Sequence, residues 1–331
     1  GESIYYYSEV FDATYFPENN YARIGNTEDD ITGFGEQYDV LMAFKPTEIF
    51  ALEYYQDDEG RGQFTSKLVN AKIGCDTPYS IQLINNQLVW LSTIHGVCTL
   101  VSTNIEDERN VRIISRNING GYRMHGLLQE SELKNAVSVD WDNKYMLSIN
   151  DKMYVWDYLM TPYQNTGKLD QDAKRLAWFL FDNFNVYQFI KSERDLYYAL
   201  GAKLVKLNDT YSDFGKPIHA IYQTPLFQFD AVEYLQARGD TASVINIKYI
   251  TEETPYGEIE KEPIIIGGKL WDSFSWNTFS WDVINFGNVF RRKCSLKKIQ
   301  MAGVIFENNE NLRDMSISYL SFDFTIVKNI K

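Results

Sequence analysis

Apolar and polar residues alternate over five to eight positions, between clusters of turn-forming residues, along most of this chain, and the helical period of three to four is nearly absent. The pattern predicts strands. The clearest segments come in pairs: YDVLMAF at 38–44 with EIFALE at 48–53, QLVWL at 87–91 with VCTLV at 97–101, KYMLSI at 144–149 with KMYVW at 152–156, and DLYYA at 195–199 with AKLVKL at 202–207. Their turns, near Pro46, His95, Asn150 and Gly201, recur about every fifty residues, the period of a four-stranded propeller blade. Further strand-like stretches at 63–73 and 110–118 follow the first two hairpins and would complete their blades.

The repeat stops near 213–218, where longer polar loops begin, so we expect a β-propeller over 1–215 and a β-sandwich-like region over 216–331. The fold expected is all-β, with about four to five blades and the first incomplete at the N terminus. In the second region the charged run 251–262 reads as a hairpin or loop. Strands at 295–307 and 315–327 are expected to form an antiparallel pair around the turn 308–314.

Composition sharpens this picture. Aromatic residues are 15% of the 331, an excess that favours strands, and hydrophobic residues are 44%, ample for a core without disulfides. The formal net charge of −13 makes a sequence-independent grip on phosphate backbones unfavourable, so no direct nucleic-acid partner is expected. Cys75, Cys98 and Cys294 are too scattered for a zinc knuckle or a redox pair, which fits folding in a reducing cytoplasm. No apolar run is long enough for a membrane helix. Gly1 in place of an initiator Met is expected of a processed or shortened chain.

Candidate chemistry is sparse. His95, His125 and His219 fit no metal-ligand spacing, and the acidic loops at 28–30, 57–59 and 106–108 lack a calcium-loop pattern, so no metal and no cofactor is expected. Nucleophile elbows, phosphate loops and dinucleotide fingerprints are absent. Asp140 and Asp142, flanking Trp141, form the best local carboxylate pair, since strand alternation would set both on one face. Such a pair also suits a wet surface, and we expect no enzyme. The most unusual string is 271–282, where Trp271, Trp276 and Trp281 recur every five residues with Phe274 and Phe279 between them. It reads as turns packing aromatics inward, as a protein-binding surface, or as a sugar-stacking platform. Arg291 and Arg292, with Lys293, make a short basic cluster that reads as a solvated strand end or as a patch for acidic loops of a neighbouring subunit.

Several motifs together resemble those of bacteriophage tail and head-tail connector propellers. They are Phe16-Pro through Gly25, Ile31-Thr-Gly-Phe34, Leu41 through Lys45, Ile73-Gly-Cys-Asp-Thr-Pro-Tyr-Ser-Ile81, Leu88 through Leu91 with Gly96-Val97, and Phe214-Gly-Lys-Pro-Ile218 with Thr224-Pro225. Phe34 stands where the family commonly has Leu. The resemblance implies a virion structural protein, made and assembled in the bacterial host cytoplasm, whose partners are other tail or connector subunits in a homo-oligomeric ring. A carbohydrate-binding or glycoside-cleaving propeller is the alternative. A cellular repeat scaffold ranks last, because its Gly-His and Trp-Asp punctuation is missing. Replacing Trp276 with Ser is expected to weaken assembly or to lower the melting temperature of the C-terminal region; no change in either excludes both the packing and the interface readings of the Trp string.

Overall fold

The computed structural model describes residues 3–26, 28–58, 60–101, 110–121, 125–160, 176–208, 210, 212–228, 231–239, 243–254, 258–259, 264–266, 289–297, 299–310 and 316–325. Among these residues the chain is all-β, with antiparallel sheets, no α-helix and three single 3-10 turns, and none of the sheets closes into a barrel. It divides into two compact units, Gly1–Leu207 and Asn208–Lys331. The boundary expected at 215/216 falls inside a hairpin of the second unit, β18 (Ser212–Asp213) with β19 (Lys216–Pro217).

The first unit opens with a short ribbon, β1 (Ile4–Tyr6) against β2 (Tyr21–Arg23). Four meanders follow. The first is β3 (Gly33–Gln37), β4 (Val40–Phe44), β5 (Ile49–Gln56) and β6 (Gly62–Asn70), and the second is β7 (Gln82–Ile84), β8 (Gln87–Ser92), β9 (Gly96–Leu100) and β10 (Val111–Ile113). The third is β11 (Val137–Trp141), β12 (Lys144–Ile149), β13 (Lys152–Asp157) and β14 (Ala177–Asp182); the fourth has three strands, β15 (Phe189–Lys191), β16 (Leu196–Leu200) and β17 (Lys203–Leu207). The four hairpins expected from alternation are the second and third strands of each meander.

The first strand of a meander, β11 apart, escaped the sequence pattern because it is short or half-exposed. Its turn carries a clear signal, however. Tyr38-Asp39, Asn85-Asn86 and Asp142-Asn143 each link the first strand to the second as a two-residue turn with both φ values between 48° and 60°. Asn and Asp tolerate that left-handed conformation, and such turns match the twist of the flanking strands. Tyr38, expected within a strand, therefore sits in a turn.

Each of the first three meanders is apolar on both faces, so it packs between its neighbours, and the fourth packs on the third. Met42, Phe44, Trp90, Cys98 and Leu100 join the first to the second; Val89, Leu91, Tyr145, Leu147 and Tyr154 join the second to the third; Met146, Met153, Val155 and Leu196 join the third to the fourth. Tyr5 and Ile24 close the ribbon onto Ala43, Phe50 and Leu52 of the first. The first strands of successive meanders also lie beside one another, β3 by β7, β7 by β11 and β11 by β15.

Buried polar groups pin these layers. Gln37 donates to the Leu100 carbonyl at 3.1 Å and accepts from the Leu88 N–H at 2.7 Å, and Tyr145 donates to the Ser80 carbonyl at 2.9 Å. The 74–80 motif has a structural cause. A Cβ on Gly74 would lie 2.0 Å from the Lys45 carbonyl oxygen, Pro78 opens a 3-10 turn, and the Ser80 hydroxyl accepts from the Leu91 N–H at 2.8 Å.

In the second unit, β26 (Val289–Lys297), β22 (Ala231–Gly239) and β28 (Ile317–Thr325) form one sheet. Strand β27 (Met301–Asn308) pairs with β20 (Ala220–Gln223), β21 (Phe227–Gln228) and β23 (Ser243–Thr251) in another, which also takes in β24 (Glu258–Ile259); β25 (Ile264–Ile266) pairs with the opposite end of β23. The two sheets face each other across Leu235, Ala237, Ile247, Val304 and Phe306, with Leu320 and Phe322 against them. This corrects the expected pairing of 295–307 with 315–327. That first stretch is two strands, β26 and β27, and β27 and β28 belong to different sheets. Alternation reports which side of a strand is buried, but not whether two buried strands meet edge to edge or face to face.

Trp90 is fully buried and its indole N–H donates to the Gly74 carbonyl at 2.8 Å. Trp90→Ala is expected to cost about 3–5 kcal/mol in urea unfolding, and a loss below about 1 kcal/mol would contradict its place at the seam between the first two meanders.

Candidate interaction surfaces

Of the expected interaction residues, Trp271, Phe274, Trp276, Phe279 and Trp281 lie outside the described residues. Arg291 and Arg292 lie on β26, and strand alternation separates them. Arg292 stands opposite Leu235, on the face that turns toward the core, while Arg291 and Lys293 stand opposite Gln236 and Tyr234 on the other. The three cations therefore do not make one patch. Arg291 reaches across β22 to Asp323 of β28, Nη2 to Oδ2 2.6 Å, with its guanidinium 4.2 Å from the centre of the Tyr234 ring. Both partners are about half-exposed, so this clamp contributes little by charge alone.

The carboxylate pair expected at Asp140 and Asp142 is not on one strand face. Asp140 lies within β11, one residue before its end, and accepts from the Tyr158 hydroxyl at 3.0 Å, whereas Asp142 sits in the left-handed turn and pairs with Lys144 at 2.7 Å. Burial first, and then the hydrogen bond to Asp140, push the Tyr158 phenol up to about 12.

A denser polar cluster was not foreseen. Glu130, whose side chain is only 7% exposed, accepts from the Lys152 ammonium at 2.6 Å and the Tyr154 hydroxyl at 2.8 Å, with His125 Nδ1 at 3.6 Å. Burial, and then Glu130, hold the Tyr154 phenol well above its ordinary range. Lys152 and Tyr154 are two apart on β13, so they share a face; the acid comes from a 3-10 turn that no strand pattern could locate. Every carboxylate contact in it is an internal one, which suits a structural brace. Among the described residues no three or more His, Cys, Asp or Glu converge as metal ligands.

Lys45 is fully buried at the end of β4. Its ammonium donates to the Asn26 carbonyl at 2.7 Å and the Ser3 hydroxyl at 3.0 Å, and the single Ser3 hydroxyl proton is shared between the Asn26 and Asp29 carbonyls, both 2.7 Å from Oγ. This network ties the N-terminal ribbon to the first meander. Beside it opens a cleft of about 500 Å³ lined by Tyr5, Tyr7, Phe34 and Phe64 with Ile31 and Leu41. Its rings meet edge-on or tilted, Tyr7 to Phe64 at 5.0 Å and Tyr5 to Phe64 at 6.2 Å. Phenol hydroxyls are the polar side-chain groups of that lining, so it offers apolar contact rather than acid or base. A second aromatic hollow, about 350 Å³, lies in the second unit between Tyr222, Phe227, Phe322 and Phe324.

No protein-family model and no curated protein matches the chain.

The Tyr5 hydroxyl is buried with no hydrogen-bond partner, and burial, then Tyr7, push its phenol up to about 12. A raised phenol favours the folded state fully below its ordinary value near 10 and loses that contribution as pH rises toward about 12. Tyr5→Phe is expected to be neutral or to stabilise by about 1 kcal/mol, since it removes an unsatisfied buried group, and to flatten the decline between about pH 10 and 12. Urea midpoints at the two ends of that window check it; a clear destabilisation would mean the hydroxyl has a partner.

Proposed function

We propose that the chain is a virion structural protein of a phage tail or head-tail connector, working through contacts with other subunits and without catalysis. On this reading its first unit is a β-propeller of about four to five blades and its second a β-sandwich-like region. The observation that carries the propeller is the succession of antiparallel meanders packed face to face with their first strands adjacent, the order in which blades surround an axis. The phage assignment rests on the motif resemblance. The Gly74 and Ser80 positions of that motif support it, because each meets a steric or hydrogen-bonding need at a seam between meanders.

Subunit contact is supported by the surface, which exposes aromatic and aliphatic side chains at Tyr6, Phe11, Tyr21, Leu180, Leu204 and Phe214. The polar clusters at Asp140 and Glu130 are occupied by internal partners, which weighs against the glycoside-cleaving alternative. Peptide mass spectrometry of purified phage particles from a host carrying this sequence tests the reading. The chain is expected as a component present in a fixed number of copies per particle; its absence from particles when it is abundant in the lysate would overturn the proposal. Turnover of a polysaccharide, lost in Glu130→Gln with the fold retained, would replace it with the enzymatic alternative.

A further inference from the structure

The outer strands of the meanders differ in one respect that bears on assembly. An outer strand leaves a row of backbone N–H and C=O groups unpaired, and proteins commonly block such edges with cations. Strand β6 carries Lys67, β10 carries Arg112, and β17 carries Lys203 and Lys206. Strand β14 carries none: Ala-Trp-Phe-Leu-Phe runs uncharged from Ala177 to its last residue, Asp182. Among the described residues it pairs only with β13.

Both faces of that edge are apolar and open. Phe179, Leu180 and Phe181 are 44%, 54% and 42% exposed. Trp178, in contrast, is held by its own unit, stacked 6.2 Å from Trp156 and donating to the Ile114 carbonyl at 3.1 Å. Phe179 lies opposite Val155 and Phe181 opposite Met153, so both face the side of the fourth meander. Among the described residues that meander has three strands, with no fourth to lie over β14.

We propose that β14 is a self-association edge, where two copies of this chain join their third meanders by antiparallel pairing about a twofold axis at Leu180. The strand is complementary to itself in that register. Leu180 meets Leu180 of the other copy on one face, and on the opposite face each Phe179 meets Phe181 of the other copy, giving two aromatic cross-strand pairs. No charged residue falls in the central three pairs, and the pairing joins two four-stranded sheets into one of eight. A second copy is the occupant that fits, because an identical strand supplies both the hydrogen-bonding pattern and the matching apolar positions. The contact deepens the structural-subunit reading by naming a surface, but it does not need the phage assignment.

The experiment uses the full chain. Sedimentation over a concentration series is expected to show a reversible dimer or a higher assembly built from it. Leu180→Lys, which sets two cations against each other at the axis, is expected to weaken that association at least about tenfold with the melting temperature retained, since the side chain is half-exposed. Under mild oxidation Leu180→Cys is expected to give a disulfide-linked dimer, whereas Leu204→Cys, 62% exposed on β17, is not. A chain that stays monomeric at every concentration overturns the proposal. So does an assembly unchanged in Leu180→Lys, or crosslinking equal for the two cysteine variants; those last two outcomes would still leave the structural-subunit reading standing on other surfaces.

Discussion

A four-stranded meander with apolar residues on both faces cannot be stable alone, and this constraint organises the whole first unit. Each sheet must be covered twice, so consecutive meanders pack face to face and the core is divided into layers between them. Strands β8, β9 and β12 show it most directly, since β9 is buried along its whole length and β8 and β12 at every position after the first. The same demand leaves a problem at the two ends of the series, where a sheet has one neighbour. The N-terminal ribbon answers it by laying Tyr5 over the first meander, yet it turns Tyr6 and Tyr21 outward. At the other end Ile190 and Leu204 remain exposed.

Apolar layers alone would slide, and buried polar side chains fix their register. Gln37 spans the first seam by accepting and donating at once, and the paired amides of Asn70 and Asn110 lie in the same seam, 2.9 Å apart. Lys45 is the most costly of these groups, a fully buried ammonium, and it is tolerated because carbonyl and hydroxyl oxygens surround it. Through it the first residues of the chain are bound to the end of β4.

The second unit solves burial with two facing sheets, so its strands need only one apolar face. That difference explains its surface. With alternate residues free to face outward, β26 can present Arg291 to Asp323 and Tyr234 while Cys294 and Leu296 reach the core. Both hollows of the described residues are lined by aromatic rings.

By itself the sequence determined the all-β class and the central hairpin of every meander, because period-two burial and turn residues are local properties. It also held the Asn85-Asn86 and Asp142-Asn143 turns, whose residue types favour the left-handed conformation. Tertiary structure decided the rest. Arg291 and Arg292 were divided between two faces only by the register of β26 on β22. The partners of Glu130 come from 22 and 24 residues away, and the burial of Lys45 depends on Ser3, 42 residues earlier. Alternation along a strand fixes which residues share a face, but which strand, which sheet and which charge lie across from that face are settled by contacts between segments far apart in the chain.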